Sequence, residues 1–198
     1  MAPVVVDPKK VRAFRNEAAF EAWLSKHHAS ETELWIRIYK KDSGQATISA
    51  KEAIDVALCW GWIDAIRKSF DEDSFLQRYC PRKAKSVWSQ INRDNVARLV
   101  AAGRMTPHGQ RHVDAAQADG RWAQAYAPMR TLSVETLPAD LLAAIAASPR
   151  AKKALPKLTK PELFALAFRT NAMKTPAGRA RKIASLVASI ERGESLTG

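Results

Sequence analysis

The hydrophobic residues of this chain change their period at Pro81. Before it, helical spacing takes turns with a strict apolar/polar alternation; after it, only helical spacing remains. Such a pattern cannot build a long parallel sheet, and it cannot build a helical bundle throughout. It calls for an α+β fold, with helices packed on a small antiparallel sheet and a helical segment following. We expect a boundary near residue 130, giving an α+β domain over 1–130 and a helical segment over 131–198.

Local signals place the elements. Asn16 can cap a helix running to about His28, with Phe20, Trp23 and Leu24 at helical spacing. In ELWIRIYKK, Leu34, Ile36 and Ile38 fall on one side of a strand, and Trp35, Arg37 and Tyr39 on the other. Ser49-Ala50-Lys51-Glu52 is a capping box opening a helix that Gly61 should end. Two strands, from Trp62 to about Phe70 and from Phe75 to Cys80, are joined through Asp71-Glu72-Asp73. Beyond Pro81, Ser86 is expected to cap a helix ending at Gly103, and Thr106-Pro107 to open one that Gly120 closes. Residues 127–138 read as a linker, Thr159 to Glu162 as a second capping box, and Ile183, Val187 and Ile190 as the apolar stripe of a last helix. Arg179, Arg181 and Lys182 occupy the other face of that helix.

Composition bounds the function. With 198 residues the chain can bury a real core without a metal or disulfide staple, and 46% hydrophobic with 26% charged residues is the balance of a soluble globular protein. No run has the length of an apolar membrane span, and MAPVVVDPKK lacks a signal-like apolar stretch, so the expected location is the cytoplasm. Cys59 and Cys80 are read as free thiols. The net charge of +12 calls for an anionic partner, either a small molecule or a nucleic acid. Between Arg78 and Arg104 seven basic residues face Asp94 alone. The sequence does not give the oligomeric state.

Chemistry concentrates between Cys59 and Asn92, which holds three of the six tryptophans. Arg82, Lys83 and Lys85 precede the expected helix start at Ser86, where cations and free N–H groups would hold a phosphate or carboxylate. Trp62 and Trp88 would wall such a site, with Asp64, Ser89 and Asn92 fixing orientation. Trp60 and Trp62 flank Gly61, either as a stacking platform or as core, with the core reading the more common for large aromatics. His108 and His112 lie one helical turn apart, but no HExxH glutamate and no third ligand accompany them, so no metal and no cofactor is expected. Cys59 has no neighbouring histidine, and no GxSxG, Walker or GxGxxG motif occurs.

ALCWGWID (Ala57 to Asp64), CPRKAKSVWSQIN (Cys80 to Asn92), GRMTPHG (Gly103 to Gly109) and DGRWAQAY (Asp119 to Tyr126) resemble, in order, the signatures of the bacterial YdeI/OmpD-associated, or bacteriocin-protection, family. The ending from Glu162 to Glu194 is similar to that family's C-terminal helical segment, so the resemblance runs from about Phe14 onward. The departures are Cys80, where a threonine is usual, and the looser turn from Met173 to Gly178. The resemblance implies a part in tolerance to bacteriocins or envelope stress; it carries over no catalytic residues.

Three readings follow. The first is a non-enzymatic protein binding an anionic or aromatic ligand through Trp62, Asp64, Arg82, Lys85, Ser86, Trp88, Ser89 and Asn92. The second is a nucleic-acid module using the Arg78–Arg104 run and the cationic face of the last helix. The third is an enzyme using Asp64 or Cys59 in the same cleft.

Overall fold

The structure, a computed structural model, describes residues 5–197. The chain divides into two compact units, the first made of Met1–Val87 and Asn92–Ala123, the second of Trp88–Ile91 and Gln124–Gly198. The fold is α+β.

A four-stranded sheet in the order β1-β2-β4-β3 organises the first unit, from β1 (Val11–Ala13), β2 (Leu34–Tyr39), β3 (Trp62–Ser69) and β4 (Ser74–Pro81). β2 and β4 pair antiparallel with Leu34 opposite Tyr79, and β3 and β4 pair antiparallel with Trp62 opposite Pro81. The sheet is mixed rather than purely antiparallel, because β1 lies parallel to β2 with Val11 opposite Trp35. Three residues are too short a run for alternation to reveal, so β1 has no sequence signature.

Helix α1 (Glu17–His27) starts where the side-chain carbonyl oxygen of Asn16 accepts the Ala19 N–H at 3.0 Å. Helix α2 (Ala50–Cys59) starts in a two-way cap. Ser49 Oγ accepts from Glu52 N–H at 3.2 Å, and the Glu52 carboxylate accepts from Ser49 N–H at 2.8 Å. Phe20 and Leu24 of α1 and Val56 and Ala57 of α2 meet Leu34, Ile36, Ile38, Trp62 and Tyr79 of the sheet in one core. Each such aliphatic or phenyl side chain contributes about 1.5–3 kcal/mol by leaving water. Trp35 is fully buried as well, so the strand face opposite Leu34 is covered at that position, contrary to simple alternation.

Ser86 does not cap a helix. Its hydroxyl accepts the Lys83 N–H at 3.1 Å inside a tight turn, and α3 (Gln90–Ala101) begins four residues later. Helix α4 (Pro107–Ala118) opens as expected at Thr106, whose Oγ1 accepts the Gly109 N–H.

In the second unit, Tyr126 bridges the segment before α3, taking the Gln90 N–H on its carbonyl at 2.9 Å and donating its own N–H to the Trp88 carbonyl at 3.0 Å. Helices α5 (Ala139–Ala146), α6 (Pro149–Ala154), α7 (Lys160–Asn171) and α8 (Pro176–Arg192) follow. Leu141, Ile145, Leu163, Leu166, Ile183, Leu186 and Ile190 close around one core. Residues 127–138 are more than a linker, since Leu132 and Leu137, each directly after a short 3-10 turn, are buried in that core.

Candidate functional site

The end of α2 shapes one hollow of the first unit. Trp60 caps α2, and Gly61 then turns the chain at φ 74° into β3. That left-handed turn favours glycine. A Cβ on Gly61 would also stand 2.7 Å from His112 Cδ2 and 2.8 Å from the His108 carbonyl oxygen. Helix α4 is drawn equally close to α2. Thr106 Oγ1 donates to the Cys59 carbonyl at 2.6 Å, and a Cβ on Gly109 would lie 2.4 Å from the same oxygen.

This packing sends the two tryptophans to different tasks. Trp62 is buried in the core, donates its indole N–H to the His28 carbonyl at 3.2 Å, and meets Trp23 edge-on at 5.9 Å. Trp60 is half-buried and stacks on His108, with centroids 5.5 Å apart and planes 12° from parallel. His28 closes the group, 4.0 Å from the His108 ring and 5.1 Å from Trp60. Its Nδ1 lies 3.0 Å from the Leu24 carbonyl.

The result is a hollow of about 360 Å³ bounded by His28, Trp60, Trp62, His108, Arg111 and His112, with Gly61 and Pro81 at its back. Among the described residues no aspartate or glutamate lines it. Burial lowers the His108 pKa, and His28 and Arg111 add to the effect. His112 is lowered by burial and by the charges of Arg82, Arg111 and Arg121. Both rings are therefore neutral at pH 7, each with one N–H to donate, in a positive field.

The sequence candidates are distributed otherwise. Trp62 forms the floor. Arg82 is 5% exposed, donates Nη1 to the Val87 carbonyl at 3.2 Å, and its charge reaches His112 and Asp64 from behind the wall. Ser86 accepts Arg121 Nη1 on its carbonyl at 2.8 Å, closing the loop over residues 82–87, and Lys85 is exposed on it. Asp64 is half-buried on β3, with its pKa raised by burial against the opposing pull of Arg82 and Arg67. Asn92 is buried in the first unit, and Trp88 and Ser89 belong to the second. Cys59 is buried and its thiol is pushed up to about 11 by desolvation, so at neutral pH it is not a thiolate nucleophile. Among the described residues no group of three or more His, Cys, Asp or Glu side chains is placed to hold a metal; His108 and His112 line the hollow.

The basic run is largely engaged within the fold. Arg78 pairs with Glu33 at 2.8 Å, Arg98 with the buried Asp55 at 2.6 Å and Arg104 with Glu17 at 3.2 Å, while Arg93 lies over the Trp122 ring. A phosphate backbone would find Lys83 and Lys85 exposed there, and few others.

Residues 12–112 match a family described as a domain of unknown function, DUF8412, and residues 136–193 match the family described as bacteriocin-protection, YdeI or OmpD-associated. The chain belongs to the DUF8412 family and carries a YdeI/OmpD-associated domain. That domain falls within the second unit, whereas three of the four tryptophan- and proline-bearing signatures fall within the DUF8412 match. No curated protein and no solved structure shows a significant match. The hollow is thus a feature of the DUF8412 part, and the YdeI/OmpD-associated domain contributes no residue to its lining. In the sequence, the spacing of His108 and His112 suggests only a metal pair, and the position of His28 only a helix end. The signal pointing to the hollow is the glycine between two tryptophans, which marks a close approach of another element.

Proposed function

We propose that the protein is a cytoplasmic, non-enzymatic member of the bacteriocin-protection group whose first unit binds a small organic anion with a flat, conjugated part. The observation that carries this reading is the parallel Trp60–His108 pair beside Arg111, at a hollow whose described walls hold no carboxylate. Trp60 and His108 present the stacking surface, Arg111 neutralises the anion at the rim, and the imidazoles donate hydrogen bonds. Arg82 and Trp62, both singled out by sequence, serve from behind as charge and floor. The match of residues 136–193 supports the bacteriocin-protection setting, and the free thiols Cys59 and Cys80 suit a reducing compartment.

Calorimetry and tryptophan fluorescence with inorganic phosphate, benzoate and adenosine 5′-monophosphate test it. Benzoate or the nucleotide should bind, and Trp60→Ala or Arg111→Ala should weaken that binding by about tenfold or more, a loss of about 1.4 kcal/mol. If neither compound binds, or both variants bind as well as the wild type, the hollow is not an anion site.

A further inference from the structure

The second unit carries twelve lysines and arginines against five acidic residues, and every acid is already engaged. Asp140 pairs with Arg179 and Glu194 with Arg192, both at 2.5 Å. The Glu162 carboxylate accepts both the N–H and the hydroxyl of Thr159, at 2.8 and 2.7 Å. Glu191 takes the Ser148 hydroxyl at 2.5 Å, and Glu135 bonds to Ser133. The cations are not matched in this way. Arg150, Lys152, Lys153 and Lys157, on α6 and the turn after it, are exposed, as is Arg181 on α8, and Lys182 of α8 is half-buried. None of these six has a carboxylate within 4.0 Å among the described residues.

The four cations on α6 and the turn after it share a region. The Ser148–Glu191 bond fixes the start of α6 beside the end of α8, and Ala151 is the buried residue of α6, which turns Arg150, Lys152 and Lys153 outward around it. The surface is broad and polar, without the means to enter a lipid layer: the apolar stripe of α8, Ile183, Leu186 and Ile190, is buried in the unit's own core. A series of unpaired cations along one helix and the turn after it matches a repeating anion rather than a single one.

We infer that the second unit binds the phosphate backbone of a nucleic acid, through Arg150, Lys152, Lys153 and Lys157. This moves the nucleic-acid surface away from the Arg78–Arg104 run, whose arginines are largely engaged. Recognition is of phosphate, so binding is tolerant of sequence and released by salt. It is independent of the hollow in the first unit.

The test uses the full chain and fluorescence anisotropy with labelled single-stranded and duplex oligonucleotides, between about 50 and about 200 mM salt. Binding to at least one should weaken linearly on logarithmic axes. The Lys152→Gln/Lys153→Gln/Lys157→Gln variant, with its fold checked by circular dichroism, should lower the slope by about one for each phosphate no longer neutralised. Lys83→Gln/Lys85→Gln should leave binding unchanged. Absence of salt-sensitive binding, or an unaltered slope in the triple variant, overturns the inference. So does equal affinity for phosphatidylserine vesicles or for polyglutamate of matched charge.

Discussion

Gly61 and His112 touch so closely that a single methyl group could not fit between them: a Cβ on Gly61 would stand 2.7 Å from the imidazole Cδ2. The contact joins the turn after α2 to α4, and it sets the wall of the hollow. Gly61→Ala combines a left-handed backbone with that clash and should destabilise the chain by about 2 kcal/mol or more, measured by urea unfolding. The displaced imidazole should weaken benzoate or nucleotide binding as well. Wild-type stability in this variant would mean that α4 is free to shift.

The two tryptophans beside Gly61 should respond differently to truncation. Trp62 is buried, so Trp62→Ala should cost about 3–5 kcal/mol by leaving a cavity and an unpaired His28 carbonyl. Trp60 is half-buried, so Trp60→Ala should cost less in stability and act mainly on ligand affinity. Equal losses of stability would place Trp60 in the core instead.

Acid should loosen the unliganded protein through His108 and His112. Their folded-state pKa values lie below the ordinary imidazole value of about 6.5. Neutral rings therefore contribute stability that is complete above about pH 6.5 and is lost as the pH falls through the lowered values. Protonation there meets Arg82, Arg111, Arg121 and His28. The melting temperature should fall on acidification, and less so in His108→Gln/His112→Gln. An anion in the hollow should reverse part of the fall, since imidazolium binds it more tightly. A pH profile identical in the double variant would remove both histidines from the explanation.

The buried carboxylate of Asp55 is held by Arg98 at 2.6 Å and by Lys51 at 3.3 Å. Arg98 is nearly half exposed, so removing it costs little packing and leaves Asp55 with the lysine alone. Arg98→Ala should destabilise by about 1–3 kcal/mol in urea unfolding, and Asp55→Asn should make the loss of Arg98 nearly neutral. Additive losses would show that the pair is not coupled.

What the sequence made legible was set within a few residues. The caps at Asn16, Ser49 and Thr106 depend on side chains bonding N–H groups three positions on, and they lie where local chemistry places them. The same rule failed at Ser86, because its hydroxyl had a closer use in the turn from Lys83. Helix α6 gave no signal, having only Ala151 to bury. The hollow was out of reach for another reason: His28, Trp60 and His108 come from three elements, and only packing brings their rings together.

The strand order of the sheet ranks its pairings by the length of chain each must close. β3 and β4 are separated by a short turn and can meet after closing a few residues of chain, whereas β2 must wait for α2 and β3 to pass before it reaches β4. β1 is a three-residue edge strand, and its parallel pairing with β2 closes across α1. Its amide hydrogens should be the first of the sheet to exchange with solvent, and the hairpin of β3 and β4 should mark the folding nucleus, with the N-terminal strand attaching as the final step.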